Sequence, residues 1–169
     1  MYGDAEGATL AQRLGLSEVG RVKKFRVPLL VAVAALMGLS SARAESSWLT
    51  DYQQAQQKAK ANKKLLLLDF TGSDWCGWCI KLRREVFSKP EFKEYADKNL
   101  VLMEVDFPRG KEQTQDVRLQ NQHLAMQYEI QGFPTIIVLN GEGKKVGELG
   151  YMAGGPAAFI SELERLRKS

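Results

Sequence analysis

Lys63-Lys64 and Gly72 enclose the segment Leu65-Leu66-Leu67-Leu68-Asp69-Phe70, a short and nearly unbroken apolar run. Its lack of polar alternation predicts a strand buried on both faces, and such a strand belongs at the centre of a sheet with a layer of structure on either side. The next 37 residues, 71–107, fit a single crossover unit. Residues 71–75 read as a loop, and Cys76 opens a helix to Phe87 with Cys79, Leu82, Val86 and Phe87 at helical spacings. Ser88-Lys89-Pro90-Glu91 starts a second helix: Pro90 suits a first helical position and Glu91 the positive end of the helix, with Phe92, Tyr95 and Ala96 turned inward. Residues 100–107 form the next strand, reached through a helical crossover and therefore parallel to the first, which makes a βαβ unit.

The flanking segments complete the order. Residues 47–62, rich in Gln, Ala and Lys, predict a surface helix capped by Thr50 or Asp51 and ended by Lys63-Lys64. After a polar loop at residues 107–111, residues 114–130 carry Val117, Leu119, Leu124 and Tyr128 in a mostly polar helical pattern. Residues 135–139 are a β-branched strand, Asn140-Gly141-Glu142-Gly143 a hairpin turn and residues 145–151 the antiparallel partner. Gly154-Gly155-Pro156 leads into a last helix with Phe159, Ile160, Leu163 and Leu166 on one face. The fold class is α/β, with a central mixed sheet (βαβ, then ββα) flanked by helices. Residues 45–169 contain no repeat, low-complexity segment or interdomain linker.

The formal charge of +4 raises the question of a nucleic-acid or membrane partner. Residues 1–44 hold six Lys/Arg and three Asp/Glu, which leaves 18 against 17, or +1, for residues 45–169. The basic excess is thus mainly in the leader, and no basic cluster with interleaved aromatics argues for nucleic acid. Lys23-Lys24-Phe25-Arg26 precedes the apolar residues 27–39, and Ala42 and Ala44 bracket a cleavage point before Glu45. This pattern predicts a signal peptide over about residues 22–44, cut after Ala44, and a periplasmic or secreted domain over residues 45–169. The apolar run of about 13 residues falls short of the roughly 20 that span a bilayer, so no stable anchor is expected after cleavage. No cysteine follows the run to take a lipid. Residues 1–20 fit neither leader nor domain, and a start nearer Val22 would give a more typical signal.

The only cysteines are Cys76 and Cys79. A disulfide so close in sequence closes too small a loop to staple a fold, so the pair points to chemistry. The thiolate is the attacking species, and a helix N-terminus favours it with free N–H groups and the helix dipole. Cys76, at that end and expected to be exposed, is the candidate nucleophile. Cys79, one turn deeper, is the candidate resolving thiol.

Trp75-Cys76-Gly77-Trp78-Cys79 after a buried strand, with Gly132-Phe133-Pro134-Thr135 before a later one, resembles the thioredoxin family over roughly residues 48–167. Asp74-Trp75-Cys76 and Phe87-Ser88-Lys89-Pro90 are similar to the C-terminal domain of bacterial thiol:disulfide interchange proteins and related exported proteins. The resemblance implies a thioredoxin-like fold and a protein disulfide reductase or electron relay. Its partners would be disulfide-containing or dithiol proteins and a thiol donor, it would need no cofactor and no metal, and it is expected to be a monomer. It also implies that Pro134 is a cis-proline beside the cysteines, with the Phe133 backbone free to pair with an extended substrate. Trp75 would shield the nucleophile, with core packing as its other reading, while Trp78, less familiar in the family, reads as part of a docking surface or as a cover over the helix start. The Gly77-Trp78 spacer departs from the family's commoner pairs, which leaves the reduction potential open over a range from about −270 to about −120 mV. Asp69 resembles the family's buried acid and would accept a proton from Cys79. It stands seven residues before Cys76, however, where the family's acid stands six before its cysteine, and its other reading is a cap at a strand end.

Two rival functions remain. Paired thiolates bind Cu(I), but Met103, Met126 and Met152 show no ligand pattern around the pair. Zinc would need four ligands where the chain offers two cysteines and the distant His123, which reads as a solvated surface residue. A redox-inert interaction domain could keep the scaffold, although it would gain nothing from a reactive pair. The polar residues 108–116 are expected to be a mobile solvated connection, with partner recognition as the alternative.

Overall fold

Strand β1, Leu65–Thr71, is buried at every residue, and its position explains why. In the computed structural model, which describes residues 48–168, the sheet order is β2-β1-β3-β4. The other strands are β2 (Leu100–Asp106), β3 (Thr135–Leu139) and β4 (Lys145–Leu149). β1 runs parallel to β2 from Leu65 opposite Leu100 to Thr71 opposite Asp106, and antiparallel to β3, which pairs antiparallel with β4. The mixed sheet of the sequence reading is therefore present, with the leucine run on an inner strand.

Alternation along β1 feeds two apolar layers. Leu65 and Leu67 pack with Leu82, Phe92 and Phe159, whereas Leu66, Leu68 and Phe70 pack with Ala55, Ala59 and Leu124. The helices supplying the first layer are α2 (Gly77–Leu82), which continues as a π-helical turn Arg83–Phe87, then α3 (Pro90–Asn99) and α5 (Gly155–Arg167). The second layer is covered by α1 (Tyr52–Asn62) and α4 (Gln115–Gln127).

Most boundaries follow from caps. The Asp51 side chain accepts from the Gln54 N–H at 2.7 Å and starts α1, and Lys63 ends it in the left-handed region at φ 53°. Residues 48–51 are not helical as expected, because Leu49 pairs with β2: its N–H donates to the Leu102 carbonyl at 2.9 Å and its carbonyl accepts from Glu104 at 2.8 Å. Thr114 caps α4, but the inward face differs from the expectation. Leu119 is 54% exposed while Asn121 is buried and donates to the Asp106 carbonyl at 2.9 Å. Asn121 and Leu124 share the face turned to the sheet, and Leu119 lies on the opposite side. β4 ends at Leu149, two residues earlier than predicted.

Among the described residues no helix is long and apolar enough to cross a membrane. The expected signal peptide and its cleavage point after Ala44 lie outside them.

Candidate active site

The loop leaving β1 closes on Gly72, whose carbonyl accepts from the N–H groups of Trp75 at 3.2 Å and Cys76 at 2.8 Å. A Cβ at residue 72 would lie 2.5 Å from the Trp75 ring, so the indole position requires glycine there. The chain emerges with Cys76 extended (φ −82°, ψ 107°) as the N-cap of α2. Its Sγ accepts from the Cys79 N–H at 3.2 Å, the contact a capping side chain makes.

Cys76 and Cys79 are joined as a disulfide, with Cα atoms 5.3 Å apart. They are only 7% and 5% exposed. The expected exposure of Cys76 is therefore not found: with the sulfurs bonded to each other, the surface of this corner belongs to Trp75 at 37% and Trp78 at 57% exposure. Gly77 lies between them with no atom within 4 Å of a notional Cβ, leaving open space over the start of the helix.

A second loop is fastened to the first. Trp75 Nε1 donates to the Phe107 carbonyl at 2.8 Å, and the Arg109 guanidinium stands 3.9 Å from the Trp75 ring centroid, a cation–π contact. The Asp74 carboxylate accepts from the Gly110 N–H at 2.6 Å and from the Arg109 N–H at 3.1 Å, bonds that hold its pKa below the usual carboxylate value, Gly110 contributing most. Ser73 donates through its hydroxyl to Asp106 at 2.6 Å and accepts from Lys111 Nζ at 3.0 Å. Residues 107–111 are thus tied to the cysteine loop, and the expectation of a mobile connection fails there because polar groups of residues 73–75 bind them.

Phe133 stacks on Phe107 with centroids 5.2 Å apart and meets Trp75 edge-on at 6.0 Å. The Phe133–Pro134 peptide bond is cis. These rings bring Trp75, Phe133 and Pro134 together, and Phe133 stands outside the β1–β3 register, whose last pair is Phe70 with Thr135. Trp78 turns elsewhere, against Tyr151 at 5.1 Å, with Lys81 Nζ over both rings at 5.0 and 4.8 Å.

On the sheet face that α2 covers lies a charged group of residues. Asp69 is 3% exposed, and its Oδ1 has no hydrogen-bond partner among the described residues. Desolvation pushes its pKa up to about 7 against the opposing pull of Arg83, with Glu104 and Asp106 adding to the rise. Glu104 is the β2 residue opposite Asp69 and pairs with Arg83 at 2.8 Å. A carboxyl with a proton affinity near neutrality can exchange protons with a thiol placed beside it. His123 is exposed, and among the described residues no three His, Cys, Asp or Glu side chains gather as a metal site.

Arg83, Glu104, Arg109 and Phe107 are the site residues missed from the sequence. Arg83 had a usable signal, four residues after Cys79 on one helix face. Glu104 and Arg109 had none, since strand register and loop packing place them.

A family model described as a thioredoxin-like domain matches residues 52–167. The disulfide bond reductase DsbH of Chlamydia pneumoniae is 39% identical over 127 residues, covering 75% of this chain and 76% of that protein. A solved structure of a DsbH oxidoreductase superposes with a TM-score of 0.68 at 35% identity, over 82% of this chain and 98% of that one. The thiol:disulfide interchange protein DsbD of Klebsiella pneumoniae is 35% identical over 111 residues, 64% of this chain but 17% of that larger protein.

Proposed function

The chain belongs to the thioredoxin-like family, and from that premise we propose how it works as a thiol:disulfide oxidoreductase. The observation carrying the reading is the placement of Cys76 as the N-cap of α2, where its sulfur accepts the Cys79 N–H. In the reduced protein the same position serves a thiolate, with helix-end N–H groups and the dipole offsetting its charge.

The Cys76 thiolate attacks one sulfur of a substrate disulfide. The substrate S–S bond breaks, one substrate thiolate leaves, and a mixed disulfide forms on Cys76. Cys79 then gives its proton to the Asp69 carboxylate and attacks Cys76 Sγ, breaking the mixed disulfide, forming the Cys76–Cys79 disulfide and releasing the second substrate half as a thiolate, which takes a proton from Asp69 or water. A thiol donor restores the dithiol. Asp69 suits the proton step because burial lifts its pKa to about 7. Trp75, Gly77, Trp78, Phe133 and Pro134 form the substrate surface: the open space at Gly77 admits an extended segment, and the Phe133 backbone pairs with it. The basic, apolar leader supports export, with residues 1–44 removed and residues 45–169 acting in the periplasm or outside the cell as a reductase or electron relay.

Equilibration of the protein in defined dithiol buffers tests this directly. A reversible couple near about −270 mV fits a reductase or relay, and one near about −120 mV would make it an oxidant instead. Absence of a reversible couple would overturn the assignment. Cys79→Ala should accumulate mixed disulfides through Cys76 in an extract of periplasmic proteins, and Cys76→Ala should not.

A further inference from the structure

Asp69 does not stand alone on its face of the sheet. It and Glu104 are register partners on adjacent parallel strands and so point to the same side of the sheet, the side of Leu67 and Leu102 that α2 and its π-helical extension cover. Cys79 and Arg83 are four residues apart on that covering segment and share its inward face. Arg83 reaches across to Glu104 at 2.8 Å with the end of a half-buried side chain, its guanidinium 5.8 Å from the Trp48 ring.

The charges facing Asp69 come from each packed element. β2 supplies Glu104 and Asp106, the helical segment supplies Arg83 and the resolving Cys79, and the β3 neighbour is the apolar Ile136. Asp106 is turned to the Ser73 N–H and hydroxyl. Among the described residues, Arg83 is therefore the one cation among the charges that act on Asp69, and it is fixed by Glu104.

We propose that Arg83, anchored by Glu104, is a positioning residue that holds the charge balance under which the Asp69 carboxyl can take the proton of Cys79 and return it. This rests on the proton-acceptor role proposed for Asp69. Without the cation, a desolvated carboxyl flanked by two others would hold its proton more tightly and would be ionised, and so able to act as a base, in a smaller fraction of molecules at neutral pH. The direction agrees with the opposing effects on Asp69, burial raising its pKa and Arg83 lowering it.

The test is the carboxyl 13C titration of Asp69 in the reduced protein, for wild type, Arg83→Met and Arg83→Lys, run beside the pH profile of the resolving step. Arg83→Met should move the Asp69 midpoint up by about one pH unit, the lower end of what an adjacent opposite charge does. The resolving rate below both midpoints should then fall about tenfold, since the deprotonated fraction falls by that factor. Arg83→Lys should restore most of both. If Arg83→Met does not fold, Arg83→Gln, which removes the charge and keeps a polar side chain, gives the same comparison. An Asp69 midpoint that stays in place, or moves down, on loss of the charge overturns the inference, even in a fully active enzyme. A midpoint that moves as expected in a protein with no disulfide exchange would instead overturn the oxidoreductase reading and leave the charge arrangement standing.

Discussion

At the scale of single residues, function and stability pull against each other at Asp69. Its folded pKa of about 7 lies above the 3.8 of an unperturbed carboxyl, so the unfolded chain ionises first. Asp69 therefore costs no stability below pH 3.8, costs more as pH rises towards about 7, and a constant amount above that. Asp69→Asn should be more stable than wild type, by as much as about 4 kcal/mol at pH 8 and with little of that gain near pH 4, as read from urea midpoints at the two pH values. A gain independent of pH would contradict the linkage. Asp74 has the opposite sign. Its pKa is depressed by the Gly110 and Arg109 N–H groups, so its contribution is present above pH 3.8 and is lost as pH falls through the folded midpoint. Asp74→Asn should be less stable than wild type at neutral pH, and the gap should close in acid. Gly72→Ala drives a methyl into the Trp75 ring and should cost about 1–3 kcal/mol, together with a change in Trp75 fluorescence. The Cys76–Cys79 pair and the burial of Asp69 were legible because local spacing and an apolar run carry them, and the cis bond before Pro134 followed from the family resemblance. The Arg83–Glu104 pair was not, because its meaning depends on which β2 residue stands opposite Asp69.

At the scale of elements, the outer layer is joined by three rings. Phe87 of the π-helical turn, Phe92 of α3 and Phe159 of α5 have centroids 4.9, 5.5 and 6.0 Å apart, so each helix is packed through the other two. Phe159→Ala and Phe92→Ala should each cost about 3–5 kcal/mol. Because the rings touch, the double variant should cost less than the sum by about 1 kcal/mol, and a double-mutant cycle in urea measures this. Strictly additive losses would mean the helices dock independently. The strands and these helices were legible because their apolar faces are strong. The failures lie where long-range contacts decide. Leu49 pairs with β2 instead of extending α1, and Asn121 takes the inward place on α4, where it donates to the Asp106 carbonyl beside Gln113. The π-helical turn was invisible because Cys79, Leu82, Val86 and Phe87 suit an ordinary helix equally well; it shows only in the Ser88 N–H bond to the Arg83 carbonyl at 2.8 Å.

For the whole described molecule, the question is whether the disulfide holds the fold or the fold holds the disulfide. The two apolar layers meet on β1, and neither is built around the sulfurs, which sit where α2 begins. Closing a loop as short as residues 76–79 restricts the unfolded chain by only about 2 kcal/mol. In the reduced protein the Cys76 thiolate would regain part of this by accepting N–H bonds at the helix start. Reduction should therefore leave a cooperatively folded protein with an unchanged urea m-value, less stable than the disulfide form by at most about 2 kcal/mol at neutral pH. That gap should narrow as pH rises and the thiolate forms. By the thermodynamic cycle, every 1.4 kcal/mol of the gap corresponds to about 30 mV between the potentials of the pair in the folded and unfolded chain. Urea unfolding of both forms thus gives a value that must agree with direct equilibration in dithiol buffers. Loss of cooperative unfolding on reduction would mark Cys76–Cys79 as a structural staple, and a protein that cycles between the two forms in every turnover cannot depend on a staple.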